Sequence, residues 1–497
     1  MKMIFMLVLM FSFGAVACLQ AEPVRLTMAD AVKMAVEKNL DLRVELYNPA
    51  QQEAEYQKSR GIYNPTLNLQ ANYNDTTSYS ANQPSGKYWN RNTQLNAGVS
   101  QLLPTGATAS LGFNNSYLSS DMSSNSSGLS SYWQSNLGLT LSQPLLKNFG
   151  REPTELTIDT AKLTKDASLE KLSAKLISVV AQVRTEYYKL YSLREELEVR
   201  KVSLELARRV LSETQARVKA GVMPAMETLN AEFGVASREK DLIDAERAVQ
   251  DQVDVLVQLL QLPQGQSVET VEVPSKVRYD VLEQAEIRRA LANRPELKEL
   301  KRNLELLELQ TRVSGNRTRP DLLLTASAAT AGLGDTYPRD MDRLSSGNYP
   351  TWGVGLTFSY PLGNRAAENE YRKNRLKLDQ SVLQIRNQEE LIVNDVRSAV
   401  RAIEANYKQL EVADRGRAFA EERLRAFVRK AEVGLATTKD VLDVENDLAT
   451  AKNNQIKAQV AYANAITQLW KATGEILVKE QVRLVTLDPD ALYKSVN

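Results

Sequence analysis

The stretch LGLTLSQPLLKNFGRE, residues 137–152, is written again as VGLTFSYPLGNRAAE at residues 354–368. In both, apolar residues (Leu137, Leu139, Leu141; Val354, Leu356, Phe358, Tyr360) alternate with small or polar ones (Gly138, Thr140, Ser142; Gly355, Thr357, Ser359). A period of two is that of a strand with two unlike faces. Each alternation ends at a proline, Pro144 or Pro361. Proline lacks an N–H and has a fixed φ, so it costs little at a strand end and redirects the chain there. The segment after each proline is charged and nearly free of Gly and Pro: none from Thr154 to Ala220, and Gly416 alone between Ala366 and Val433. Such runs read as helices of roughly 100 Å at 1.5 Å per residue.

Working outward, the duplication extends over the chain. AVEKNLDL (35–42) returns as ALANRPEL (290–297), and NPTLNL (64–69) returns as RPDLLL (319–324). Pro65 and Pro320 stand 255 residues apart, as do Leu42 and Leu297, and mark the opposite junction, helix into first strand. AGVMPAMETLNAE (220–232) returns as VGLATTKDVLDVE (433–445), with Gly221 and Gly434 at the helix-to-helix turns. Pro144 and Pro361 are only 217 apart, so copy one carries 38 extra residues between its two prolines.

The resulting expectation is an α+β membrane protein of two tandem repeats. A leader occupies residues 1–21, a first repeat 22–265 (helices 28–63 and 153–262, strands within 66–144) and a linker 266–280. A second repeat spans 281–474 (helices 281–316 and 364–473, strands within 320–361), with a C-terminal tail at 475–497. Between Thr66 and Phe149 the only charges are Asp75, Lys87, Arg91, Asp121 and Lys147. Alternation in so charge-poor a setting is the signature of transmembrane barrel strands, although a soluble sandwich with one wet face alternates too. The aromatics Tyr88, Trp89, Tyr132, Trp133, Trp352 and Tyr360 suit an interfacial girdle. In the second long helix Ile385, Ile392, Val396, Ala399, Ile403, Asn406 and Leu410 form a coiled-coil seam.

The composition narrows the function. A formal net charge of +1 gives no sign of a nucleic-acid partner, and the absence of histidine removes Ser-His-Asp, Cys-His and His-rich metal sites. No cofactor or catalytic set is expected. MKMIFMLVLMFSFGAVACLQA (1–21) has a basic second residue, a short apolar run and small residues near a cut, as an export signal does. Cleavage after Ala21 competes with cleavage before Cys18, which would then carry a lipid; Ala15 is a weak residue for a lipoprotein box.

These motifs, in this order and duplication, resemble the TolC family of outer-membrane efflux proteins over essentially the whole mature chain. The resemblance implies a homotrimer in the outer membrane of a Gram-negative bacterium, its strands pooled into one transmembrane β-barrel and its helices forming a long periplasmic coiled-coil barrel. It implies docking onto a periplasmic adaptor and an inner-membrane pump or ABC exporter. The family's two strands per copy give a twelve-stranded barrel. Here residues 95–117 look like an added hairpin around the LPTG turn (103–106), which makes either eighteen strands or a flap over the barrel.

The resemblance also implies a periplasmic gate at Asp440 and Asp443, with Glu227 as a further acidic residue, where plain N-terminal capping by acids is the simpler alternative. Gly221, Val222, Val433, Gly434 and Leu435 match the adaptor-docking tips. Ala436 and Ala431 stand where the family has a lock arginine and a lock tyrosine, so its closed-state network is not expected here. A trimeric coiled-coil anchor at the cell surface is the competing reading, weakened by the lack of a passenger domain.

Overall fold

The computed structural model describes residues 24–79, 86–121, 129–482 and 488–496. The leader, both of its cleavage positions and Cys18 lie outside these residues. The chain divides into two compact units.

The first unit holds the described residues up to Arg43, residues 176–290 and those from 395 to 482. It contains β1 (Val24–Leu26), α1 (Met28–Lys38), α4 (Met226–Leu260), β6 (Val268–Thr270), most of α5 (Glu283–Asn293), α9 (Thr438–Thr473) and α10 (Ile476–Lys479). The C-terminal parts of α3 (Arg151–Lys219) and α8 (Arg365–Glu432) complete it. Its core is aliphatic, with Leu176, Val180, Val183, Leu190, Leu256, Leu260 and Ile403 among the buried residues.

The second unit holds 44–175, 291–394 and the described residues from 488. Most of α2 (Leu40–Arg60), α6 (Pro295–Asn316), the first parts of α3 and α8, and α11 (Pro489–Ser495) belong to it. Its centre is one antiparallel sheet of β2 (Thr66–Tyr79), β3 (Lys87–Leu102), β4 (Thr108–Ser120), β5 (Ser131–Pro144), β7 (Asp321–Gly334) and β8 (Pro350–Ser359), in that spatial order.

The register gives this sheet two unlike faces. Leu67, Val99, Leu111, Leu139, Ala328 and Trp352 stand side by side in one row across all six strands. On the opposite face the matching row is Asn68, Gly98, Gly112, Gly138, Ala329 and Thr351. Large apolar side chains on the first face, such as Leu69 at 73% and Leu356 at 66% exposure, have nothing over them within the chain. No helix among the described residues is long and apolar enough to cross a membrane.

Several elements differ from expectation. The helices expected over 28–63 and 281–316 are each broken, at Asn39 and Arg294, the same position in the two copies. Asn39 caps both neighbours: its N–H donates to the Ala35 carbonyl and its Oδ1 accepts from the Leu42 N–H at 3.1 Å. At the second break Pro295 begins α6, since a residue with no N–H and a fixed φ suits a first helical position and disfavours continuing the helix from α5. The linker 266–280 is ordered by partners distant in sequence. β6 pairs in parallel with β1, the Tyr187 hydroxyl accepts from the Val271 and Glu272 N–H groups, and the Tyr462 hydroxyl accepts from the Tyr279 N–H. Three-residue strands leave no periodicity to read.

A short helix between the last two strands, α7 (Tyr337–Ser345), has no counterpart among the expected elements. The ladder between β7 and β8 ends at Thr330 and Pro350, and α7 packs where β7 continues beside β5 without β8. Asp340 is fully buried there, accepting from the Ser135 N–H at 3.2 Å and from the Ser135 hydroxyl. Gly332 and Gly334 make room, because a Cβ on either would collide with backbone atoms of Asp340. The girdle aromatics also divide. Period two places Trp89 and Trp133 on the apolar face with Tyr73 and Tyr117, but Tyr88 and Tyr132 on the polar face. Trp352 lies level with Leu139, well below that upper row.

Candidate functional site

The two glycine turns, Gly221 after α3 and Gly434 after α8, are built alike. Gly221 adopts φ 75° and Gly434 φ 77°, a left-handed conformation that a side chain would strain. The next residue closes the helix end, Val222 N–H to the Arg217 carbonyl at 2.9 Å and Leu435 N–H to the Lys430 carbonyl at 2.8 Å. The glycine N–H groups bond three residues back, to Val218 and Ala431. These are paired Schellman motifs, which satisfy carbonyls that a helix end otherwise leaves open. Val222, Val433 and Leu435 are exposed, at 74%, 70% and 77%. Both turns therefore present apolar side chains at a helical tip.

The helices that leave these turns begin differently. At α9 Thr437 forms a capping box: its hydroxyl accepts from the Asp440 N–H at 3.1 Å, and Asp440 Oδ2 accepts from the Thr437 N–H at 2.8 Å. Hydrogen bonds from the Thr437 backbone and side chain, the backbone one foremost, hold the Asp440 carboxyl below the usual aspartate range. In copy one the register puts Pro224 opposite Thr437 and Glu227 opposite Asp440. Proline has no hydroxyl to cap with and no N–H to offer. α4 accordingly starts from Ala225 with no side-chain cap, and Glu227 Oε2 is buried with no hydrogen-bond partner among the described residues.

Asp443 is exposed, one turn into α9. Among the described residues no hydrogen bond or ion pair joins Asp440, Asp443 and Glu227 to one another, so within one chain they are three separate carboxylates. Ala431 and Ala436 line a cavity at the tip together with Arg217, Met223 and Val441. The Arg217 guanidinium crosses to the Ala431 carbonyl at 3.4 Å. Small residues thus leave open space where the resemblance leads one to expect a tyrosine and an arginine.

The junction prolines sit where strands meet helices. Pro65 precedes β2, Pro320 precedes β7, Pro144 is the last residue of β5, and Pro361 comes just after β8. Beside Pro144 the ladder continues through the next residue, with Leu145 N–H donating to the Leu322 carbonyl at 2.7 Å.

One feature of the tip escaped sequence reasoning, a buried ion pair between α4 and α9. Arg238 Nη2 lies 3.1 Å from Glu445 Oε2 and also donates to the Leu442 carbonyl at 3.0 Å. Both side chains are largely shielded, at 14% and 6% exposure. Close helix approach makes the pair possible, because a Cβ on Gly234 would stand 3.1 Å from Leu442 Cδ1. A signal did exist: Glu445 interrupts the buried stripe of Val441, Leu442, Val444 and Ala449. A charge in an apolar stripe calls for a partner.

Two tandem repeats, each joining barrel-type strands to a glycine-turned helical hairpin, define an α+β outer-membrane protein. The chain belongs to the outer membrane efflux protein family, whose model matches residues 31–261 and 287–475. Among curated relatives, the pyoverdine export outer membrane protein OpmQ of Pseudomonas putida is 25% identical over 327 residues, covering 64% of this chain and 66% of OpmQ. The outer membrane efflux protein BepC of Brucella suis is 23% identical over 368 residues, 72% of this chain and 76% of BepC. The match spans just under two thirds of the OpmQ chains, 66% in Pseudomonas putida and 61% in Pseudomonas aeruginosa. The fold is also that of solved channels. CusC superposes with a TM-score of 0.66 at 16% identity over 90% of this chain and 92% of CusC. The Campylobacter jejuni CmeC outer membrane channel gives 0.64 at 17% identity over 94% and 88%.

Proposed function

We propose that this protein is the exit duct of a tripartite efflux or type I secretion system: a passive homotrimeric channel, opened by a periplasmic adaptor and driven by an inner-membrane pump or ABC exporter. The observation that carries this reading is the sheet with one apolar and one polar face, joined twice to long helices that end in glycine-turned tips. A sheet apolar on one side and rich in Asn, Ser and Gly on the other fits a wall between lipid and water. Its free edges call for neighbouring copies. Apolar residues left exposed along α8, Leu376, Leu383, Val412 and Phe419, supply further surface for a neighbour to cover.

At the tip, Gly221, Val222, Val433, Gly434 and Leu435 form the adaptor-docking surface, two exposed apolar knobs on rigid Schellman turns. Asp440, Asp443 and Glu227 form the periplasmic gate. Three copies bring nine carboxylates to one constriction, which favours cations and repels anions. Asp440 also has its capping role, so Asp443, exposed and without such bonds among the described residues, is the stronger contributor to the field. The partnerless Glu227 oxygen is a ready acceptor for a donor from a neighbouring copy.

Planar-bilayer conductance of the purified mature protein tests this, beside the Asp440→Asn/Asp443→Asn variant and with divalent cations added. Discrete cation-selective steps that lose selectivity or divalent block in the variant support the duct and the gate. Trimers that insert but conduct in neither form refute the duct.

A further inference from the structure

We infer that three copies close an eighteen-stranded barrel, the free edge of β8 in one copy pairing with the free edge of β2 in the next, around a bore of porin width that carries one charged side chain per copy. This rests on the trimeric duct proposed above.

The β3–β4 hairpin is the part of the chain that decides the strand number, and two independent observations place it in the wall. Its ladders are continuous on both sides, from Thr66–Ser100 to Tyr79–Lys87 with β2 and from Thr108–Ser142 to Ser119–Ser131 between β4 and β5. A flap over the mouth would instead leave β2 beside β5. The LPTG turn, in addition, is held at the strand–helix junction. Gly150 N–H donates to the Thr105 carbonyl at 3.0 Å, Gln143 Nε2 to the same carbonyl at 3.1 Å, and Gln101 Nε2 to the Tyr63 carbonyl at 3.2 Å. The hairpin therefore runs the full height of the sheet. Strands of 16 and 13 residues exceed the roughly 9–11 that a membrane crossing needs.

The apolar face has membrane dimensions. Its lower limit is the Leu322–Phe358 pair, and along β7 it ends at Gly332, where α7 and the buried Asp340 lie over the same face. From Leu322 to Gly332 β7 advances about 33 Å at about 3.3 Å per residue. A strand tilt of roughly 40° reduces this to about 25 Å of height, the apolar band of outer-membrane barrels. Direction also fits. The six strands alternate, so β2 and β8 run oppositely and meet as an antiparallel pair in adjacent copies. Closure satisfies two edges that would otherwise stand open.

The other face sets the bore. Gln70, Asn96, Asn114 and Asn136 stand in one row of it and Thr66, Ser100, Ser110 and Thr140 in another. Along the six strands the one charge on this face is Asp321, at the junction end of β7. Barrel diameter grows roughly linearly with strand number, so eighteen strands give a bore about 1.5 times that of twelve, in the range that leaves an aqueous channel. A wall of amides and hydroxyls at that width sorts cargo neither by charge nor by modest differences in size. It suits bulky, hydrated solutes of either sign and leaves selection to the helical tip and the pump.

Electron cryo-microscopy of the full-length protein in lipid nanodiscs tests the strand number, paired with polyethylene glycol exclusion from the barrel side in planar bilayers. Eighteen strands and a polymer cut-off about 1.5 times the radius expected of a twelve-stranded ring support the inference. A trimer with twelve wall strands and the β3–β4 hairpin outside them overturns it and leaves the duct standing. Particles without a trimeric ring overturn the duct, and the closed barrel with it.

Discussion

Removing the Glu445 carboxylate should loosen the junction of α4 and α9 far more than removing the whole ion pair. At 3.1 Å the attraction between Arg238 and Glu445 is about 5 kcal/mol for an effective dielectric near 20, and desolvation of the two groups cancels much of it. The net value of the pair is therefore small. Glu445→Ala, however, leaves a shielded guanidinium with only the Gly234 and Leu442 carbonyls, and stranding one member of a buried pair costs about 3–5 kcal/mol. That corresponds to an opening equilibrium at least about 100-fold more favourable, at about 1.4 kcal/mol per decade. Hydrogen exchange of backbone amides around Arg238 and Leu442, measured on the assembled protein, reads this directly. Exchange should accelerate by two orders of magnitude or more in Glu445→Ala and by much less in the Arg238→Met/Glu445→Met double variant. Single-variant exchange within threefold of the wild type would refute the reasoning, as would a double variant that is worse than the single.

Four further outcomes are expected elsewhere in the chain. Thr437→Ala should destabilise the first turn of α9 by about 1 kcal/mol, the usual value of a lost N-cap, seen as faster exchange at Val441 and Leu442 and unchanged exchange at the uncapped start of α4. Because the Asp440 carboxyl is held below its ordinary value, its contribution is complete above the unfolded aspartate pKa near 3.9 and is lost as the pH falls through the lower folded value. α9 should consequently fray at its start only in strong acid, and Asp440→Asn should remove that transition. Gly106→Ala should weaken the β3–β4 turn by about 1–3 kcal/mol, since φ is 85° and the new Cβ would meet the Asn148 carbonyl oxygen at 2.7 Å; a lower unfolding temperature of the protein checks it. Burial, reinforced by Glu296, Glu170 and Glu45 against the opposing Lys171, pushes the Glu299 carboxyl up. Its ionised form is then disfavoured in the fold, so stability should rise as the pH falls through that raised value toward the ordinary glutamate range, and Glu299→Gln should be more stable than the wild type at neutral pH.

The tip shows how far motif and geometry can diverge. Aligned letter by letter, Glu227 and Asp440 are equivalent acids, and the sequence treats them alike. Their surroundings do not, because Pro224 replaces Thr437 three positions earlier, so one acid closes a capping box and the other keeps a buried, partnerless oxygen. Arg238 and Glu445 lie 207 residues apart, and nothing local in either segment points to the other.

Periodicity and duplication alone determined the two-copy plan, the long strands and the long helices after them, the junction prolines and the glycine turns, because each depends on the backbone preferences of neighbouring residues. Gly221 and Gly434 need a positive φ wherever a helix must reverse, and a run such as Leu137, Leu139 and Leu141 can show two faces only as a strand. Tertiary structure alone decided that β3 and β4 enter the sheet between β2 and β5, that α7 covers the end of β7, that β6 finds β1, and that Arg238 finds Glu445. Those outcomes are set by contacts between segments far apart in the chain, where shape and hydrogen-bond partners select among arrangements that the same local pattern allows.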